Sequence, residues 1–450
     1  MSSATKTTGS LLIRGGTLVT MDPARCVLHA DLLIQDGRIA AIGTGLDVRA
    51  DDVFDASGMA VLPGLVQTHV HLCQTLFRGM ADGLELLEWL RQRIWPFEAA
   101  HDPESVAASA RLGCAELILG GTTTIVDMGT VHHTGEIFRA IEASGLRALA
   151  GKCMMDTGDE APAGLRETTD ASLRESIDLL DEWHGAAGGR IRYAFAPRFA
   201  LSCSETLLAE VAREAESRGV HVHTHASESV GECELVAARR GAPPVEYFNR
   251  VGLTGPRTIL AHCVHLSDHE MGLLADTGTA VAHCPSSNLK LASGIAPIAE
   301  LRRRGVAVGI GADGAPCNNE LNGFLELRLA AQLQSVGAGP GALTAMDALE
   351  MVTIGGAHAI GMADEIGSLE IGKRADVIAV DLDTLHSSPD GADPENVVSR
   401  LVYSARASDV RLTVVDGRVL LRDKKLLTLD EDGVRQEASR ALAVLERRVG

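Results

Sequence analysis

Residues 62–72 read LPGLVQTHVHL: a near-continuous apolar run that closes on two histidines, His69 and His71. Side chains two apart on a strand project to the same side, so both imidazoles face whatever this strand lines. The same event recurs downstream. Apolar runs over 219–225, 258–263, 279–285 and 306–313 close on His225, His262, His283 and Asp313. With the further runs 122–128, 147–155 and 190–198, eight strands are predicted, counting the first as 62–71. Unbroken apolar strands are expected where a parallel sheet is buried on both faces. The stretches between, such as SETLLAEVAREAESRG (204–219) and APIAELRRRG (296–305), have helical periodicity and a glycine stop. Alternation alone also suits an open doubly wound sheet. The polar residues at the strand ends decide for an α/β fold of the (β/α)8 TIM-barrel type, whose active sites sit at that end.

Outward from the barrel, both flanks change style. LLIRGGTLVT, ADLLIQDGRIAAIG and MAVLPG before it, and GSLEIGKRADVIAVD and DVRLTVVDGRVLL after it, alternate short apolar strands with Asp-Gly or Gly-Gly turns. Neither flank buries a core alone, so residues 1–60 and 366–430 are expected to form one composite β-sandwich around a 61–365 barrel. Residues 433–449 read as an amphipathic helix with Val434, Ala438, Leu442 and Leu445 on one stripe. It packs on the body or on a second subunit, which leaves a homo-oligomer open.

The strand ends carry the chemistry. A buried aspartate such as Asp313 is costly unless it is paired or binds a metal. Three neutral imidazoles and one carboxylate suit Zn²⁺ or Fe²⁺ and leave a position for water. His221 and His223 share the face of His225 but precede it, and are expected to be lower-layer core residues. Glu228 follows His225 by three residues, where a carboxyl beside a metal's water is a natural proton shuttle. Asn288, Lys290, Asn318 and Asn319 are expected to stabilise loops.

Composition narrows the partners. A formal net charge of -19 argues against a nucleic-acid polymer, which needs basic patches. No apolar window of about 18 residues is present to span a membrane, and the leading MSSATKTTGSLLIRGG lacks a signal peptide's apolar run. Nine cysteines, singly spaced and without a C-x-x-C, give neither a disulfide framework nor a zinc knuckle. A cytoplasmic enzyme with a small-molecule substrate is expected. Cys263 and Cys284 read as small buried apolar residues.

PGLVQTHVHLCQTLFRG, HTHASES, AHCVHLSDHE, HCPSSNLKLASG, GADGAPCNN and GSLEIGKRADVIAVD together resemble the amidohydrolase superfamily. The resemblance is to its aminohydrolase branch, which holds S-adenosylhomocysteine, methylthioadenosine and 5′-deoxyadenosine deaminases and the s-triazine hydrolases. It implies one divalent metal, zinc before iron, on His69, His71, His225 and Asp313. It also implies Glu228 as acid/base, His262 orienting the water and Asp313 accepting its proton. The implied reaction replaces the amine of a nitrogen heterocycle by a carbonyl and releases ammonia. Two-metal relatives use a carboxylated lysine at the end of strand four; this chain has Arg198 there, with Lys152 the nearest lysine, so one metal is expected. Trp89 and Glu98, in LLEWLRQRIWPFEAAH, match an aromatic and a ribose-binding glutamate of the adenosine-type deaminases.

Arg198 also stands where S-adenosylhomocysteine deaminases carry a nucleoside-contacting histidine. That points to smaller adenosine derivatives, 5′-deoxyadenosine or methylthioadenosine, with Arg198 contacting a polar group of the substrate. An s-triazine, aminopurine or pterin amino- or chlorohydrolase is the alternative. His283 either adjoins the substrate or caps a strand end.

Overall fold

The run read as one strand over 62–71 is two strands in two different sheets. Met59–Pro63 pairs antiparallel with Val377–Asp381, while Leu65–Val70 lies in the parallel sheet next to Thr122–Met128. Gly64 makes the transfer between them, packed so closely that an added Cβ would lie 2.1 Å from the side chain of Thr123. The computed structural model describes residues 9–158, 160–389 and 394–450.

Strand one, Leu65–Val70, opens a closed parallel barrel. It continues through Thr122–Met128, Arg147–Gly151, Ile191–Pro197, His221–Ala226, Thr258–His262, Ala280–His283 and Val308–Ile310 as strands two to eight. Strand eight returns to strand one through Ile310 and Gln67, and strand four pairs with strand five through Ala194 and His221. The fold is a (β/α)8 TIM barrel. Most ends differ from the sequence reading by a residue or two. Strand three, read to Met155, stops at Gly151, with Cys153–Met154 a separate short strand beside strand four, and strand eight stops at Ile310 with Asp313 rejoining Val70 as an isolated bridge.

Alternation explains the burial. In the interior, Val66, Val126, Leu149, Ala194, Ile259, Ala261, Ala280 and Ala282 meet a plug of Ala357, Ile360, Met362 and Ile366 at the N-terminal ends. The C-terminal ends stay free for polar groups. Strand three shows how tight the wall is: a Cβ on Gly151 would lie 1.7 Å from the carbonyl oxygen of Ala194.

Both chain ends build one nine-stranded sheet, separate from the barrel. Val377–Asp381 and Met59–Pro63 join the C-terminal strands to Ser10–Val19 and the N-terminal hairpins. This sheet has its own core of Leu11, Ile13, Leu18, Leu32, Phe54, Val377 and Leu412. The helix Glu431–Val449 packs on Pro103–Leu119, burying Leu445 and pairing Glu437 with Arg111 at 2.7 Å and Arg448 with Asp102 at 2.5 Å.

A buried ion pair ties the barrel to this sheet. Arg147, at the start of strand three, grips Asp376 with two bonds, Nε to Oδ2 at 2.7 Å and Nη2 to Oδ1 at 3.0 Å. Burial opposes the charged guanidinium, but Asp376 more than restores it. Removing one partner strands the other charge in a dry interior. Asp376→Ala is therefore expected to destabilise the fold by about 3–5 kcal/mol, read by urea unfolding.

Candidate metal centre and active site

The barrel brings together ligands from strand ends far apart in sequence. Each of four imidazoles turns Nε2 toward a common point and ties Nδ1 down outside it. His71 Nδ1 bonds the carbonyl of Met128 at 2.9 Å, His225 Nδ1 that of Arg198 at 2.6 Å, and His262 Nδ1 meets Asn288 Oδ1 at 2.9 Å. His69 Nδ1 instead meets another ring, His223 Nε2, at 2.8 Å. At the centre, Asp313 Oδ1 lies 3.3 Å from His69 Nε2 and 3.4 Å from His71 Nε2. His71 and His225 Nε2 are 3.2 Å apart.

These separations fit a metal. Ligands about 2.1 Å from one ion at tetrahedral angles sit roughly 3.4 Å apart. His69, His71 and Asp313 form one triad and His69, His225 and His262 another, with donor atoms of each within 4.8 Å of one another. His69 Nε2 is buried and aimed into the cluster without a hydrogen-bond partner among the described residues. A buried polar atom left so is costly unless something binds it. The donor set is that of a divalent-metal site.

Charge states agree. Burial lowers His69 to about 4, lowers His71 and takes His225 well below the ordinary histidine value, leaving neutral nitrogen lone pairs. Burial alone would raise Asp313, yet His69, His262 and His71 hold its carboxyl well below the usual range. Ser287 Oγ and the Gly314 N–H, each 2.7 Å from a carboxylate oxygen, donate to it. The backbone is strained at these ends: Ser227, His262 and Asp313 have φ of 54°, 74° and 61°. Left-handed conformations in non-glycine residues cost roughly 1–3 kcal/mol each and cluster at functional sites.

Glu228 sits over the cluster, its Oε2 3.5 Å from His262 Nε2. Burial pushes its carboxyl well above the usual range; Asp313 and Glu232 add to the push and Arg198 opposes it. Beside it opens a cavity of about 30 Å³ with Leu86, Trp89, Leu90 and Phe199 as apolar wall. Gln74, Arg198 and Glu232 are its polar lining beyond the cluster.

The amidohydrolase family profile matches residues 60–420. The 5′-deoxyadenosine deaminase of Methanothermobacter thermautotrophicus is 42% identical over 97% of this chain and 99% of its own. The 5-methylthioadenosine/S-adenosylhomocysteine deaminase of Moorella thermoacetica is 39% identical over 96% and 99%. Among solved structures, an adenosine deaminase from Xanthomonas campestris with bound zinc superposes with a TM-score of 0.91. It is 33% identical, covering 97% of this chain and 98% of that one.

The chain belongs to the amidohydrolase family.

In this amidohydrolase the other residues singled out from sequence fall in three places. Trp89 and Arg198 line the cavity. Glu98 lies behind it, both oxygens engaged: Arg198 binds them at 2.5 and 3.2 Å and Gln74 Nε2 donates at 2.8 Å. Burial would raise Glu98, but Arg198 and Gln74 keep it below its ordinary value. His283 is fully buried outside the cavity lining, neither ring nitrogen partnered among the described residues, and burial lowers it to about 3. Lys152 points its Nζ at Glu167 and Glu175, each 3.0 Å away, instead of at the cluster.

Of the loop residues, Lys290 bonds the carbonyl of Pro316, Asn318 bonds Ala312 and Glu326, and Asn319 accepts from Gly79. Asn288 does more, holding the ring of His262.

Two residues were missed. Glu232, in the first turn of Val230–Arg240, accepts the Glu228 N–H at 2.6 Å; burial raises its carboxyl to about 7. Its signal was the four-residue spacing after Glu228. His223 was read as plain core.

Dialysis against a chelator is expected to lower the thermal midpoint of this amidohydrolase, and added Zn²⁺ to restore it. The gain is about 4 kcal/mol at a thousandfold excess over Kd. Asp313→Ala should show no Zn²⁺ response in the same melting experiment.

Proposed function

We propose that this amidohydrolase deaminates a small adenosine derivative, 5′-deoxyadenosine or methylthioadenosine, to the inosine analogue and ammonia. One zinc ion is held by His69, His71, His225 and Asp313. The observation that carries the reading is Glu228, a buried carboxyl pushed above its usual range, which faces Asp313, held below its own, across His262. Two carboxyl groups in opposite states divide acid from base work.

A bound divalent ion supplies a water acidic enough to act as nucleophile near neutral pH. Asp313 takes that water's proton through the carboxylate its neighbours keep ionised. His262, 3.5 Å from Glu228 and 3.8 Å from Asp313, orients the water between them. Glu228 gives its proton to the ring nitrogen beside the amine-bearing carbon. With the water's oxygen bonded to that carbon, the amine takes the proton held by Asp313 and leaves as ammonia; Glu228 recovers a proton from the added hydroxyl, and a lactam remains.

Leu86, Trp89, Leu90 and Phe199 suit a planar heterocycle. Arg198 donates to a polar group of the substrate. Glu98, expected to accept ribose hydroxyls, has its oxygens on Arg198 and Gln74, so in this reading it fixes Arg198 instead. His283 makes no substrate contact here. Nine unpaired cysteines suit a reducing compartment, and the cytoplasm is the proposed location.

Ammonia release is to be assayed with adenosine, 5′-deoxyadenosine, methylthioadenosine, S-adenosylhomocysteine, guanine and melamine. The highest kcat/KM is expected for 5′-deoxyadenosine or methylthioadenosine; preference for guanine or melamine contradicts the substrate assignment. Glu228→Gln should retain metal and lose about 10²–10⁴-fold in kcat. Turnover at the parent rate removes Glu228 from the mechanism.

A further inference from the structure

Three of the four clustered imidazoles are anchored by oxygen: Met128 O for His71, Arg198 O for His225 and Asn288 Oδ1 for His262. His69 is the exception. Its Nδ1 lies 2.8 Å from His223 Nε2, the two rings nearly perpendicular at 78° with centroids 4.8 Å apart. We propose that His223 is a positioning residue of the metal centre, whose Nε2 accepts the Nδ1 proton of His69 and so fixes that ligand's tautomer and ring orientation.

A carbonyl oxygen can only accept, so it leaves a histidine's proton no choice of nitrogen. An imidazole can do either, and two proton placements satisfy the 2.8 Å contact. In one, His223 donates from Nε2, His69 accepts at Nδ1, and the His69 proton sits on Nε2. That proton would then point at Asp313 Oδ1, 3.3 Å away, and His69 could not ligate. In the other, His69 donates from Nδ1 and its Nε2 lone pair is free for a metal. Only the second tautomer makes a ligand, and it needs the proton of His223 on Nδ1.

That placement is costly. His223 is fully buried, in register with Ile259 of strand six, and its Nδ1 has no hydrogen-bond partner among the described residues. An apolar side chain there would leave no unmatched N–H, so the imidazole calls for an explanation other than packing. Strand five supplies one. Alternation sends His221, His223 and His225 inward at successive heights, with His221 beside Gly361 at the plugged end and His225 in the cluster. His223, between them, stands at the height of the His69 Nδ1. Outer partners of metal-bound histidines typically govern metal affinity by 10- to 100-fold.

The inference rests on the metal reading, and the experiment separates the two. Zn²⁺ dissociation constants are measured by chelator competition, with Co²⁺ absorption spectra, for the parent, His223→Phe and His223→Gln. The Phe ring keeps the volume without an acceptor; the Gln amide oxygen reaches about as far as His Nε2 and accepts. His223→Phe should weaken Zn²⁺ binding roughly 10- to 100-fold and shift the Co²⁺ bands. Its metal-free thermal midpoint should be no lower than the parent's. His223→Gln should bind within a few-fold of the parent. Parent-like affinity and spectrum in His223→Phe overturn the proposal. If that variant does not fold, a tenfold or greater loss in His223→Gln overturns it and a parent-like constant upholds it. A parent that binds no Zn²⁺ overturns the metal reading as well.

Discussion

Everything in this molecule that concerns chemistry depends on a handful of nitrogen and oxygen atoms held within about one metal–ligand diameter of each other. Those atoms come from strands one, five and six and from the loop after strand eight, so only a closed barrel brings them together. Closure passes through single contacts such as Ile310 with Gln67. Left-handed backbone at Ser227, His262 and Asp313 turns the chain sharply where the strands end. That local strain is tolerated because packing below it, from the interior alanines and valines to the Ile360 and Met362 plug, leaves those residues no other arrangement.

The same burial sets the charge pattern. Taking histidines and glutamates from water disfavours their charged forms, which lowers His69 and His225 and raises Glu228. Asp313 resists because His69, His262 and His71 and the donors of Ser287 and Gly314 surround it. One low-dielectric pocket thus holds neutral ligands, an anion and an acid side by side. Arg198, paired with Glu98, adds a cation whose pull on Glu228 opposes the effect of burial without outweighing it.

Much of this was legible in sequence because it is written in strand-end residues. His69-x-His71, His225, His262 and Asp313 stand out since polar groups rarely close apolar runs, and the eight runs themselves mark the barrel. Three features were hidden. The handover at Gly64 lies inside an unbroken apolar stretch, so 62–71 looked like one strand. The Glu98–Arg198 pair joins residues 100 positions apart, and no local pattern reports it. The contact of His223 with His69 depends on the relative height of strands one and five, which period-two alternation does not encode.

Metal content measured on protein purified without chelator tests the central claim most directly. The account predicts about one divalent transition-metal ion per chain, zinc foremost, lost when His69 and His71 are replaced by alanine. Protein with no stoichiometric metal, and no activity gained when one is supplied, would contradict it.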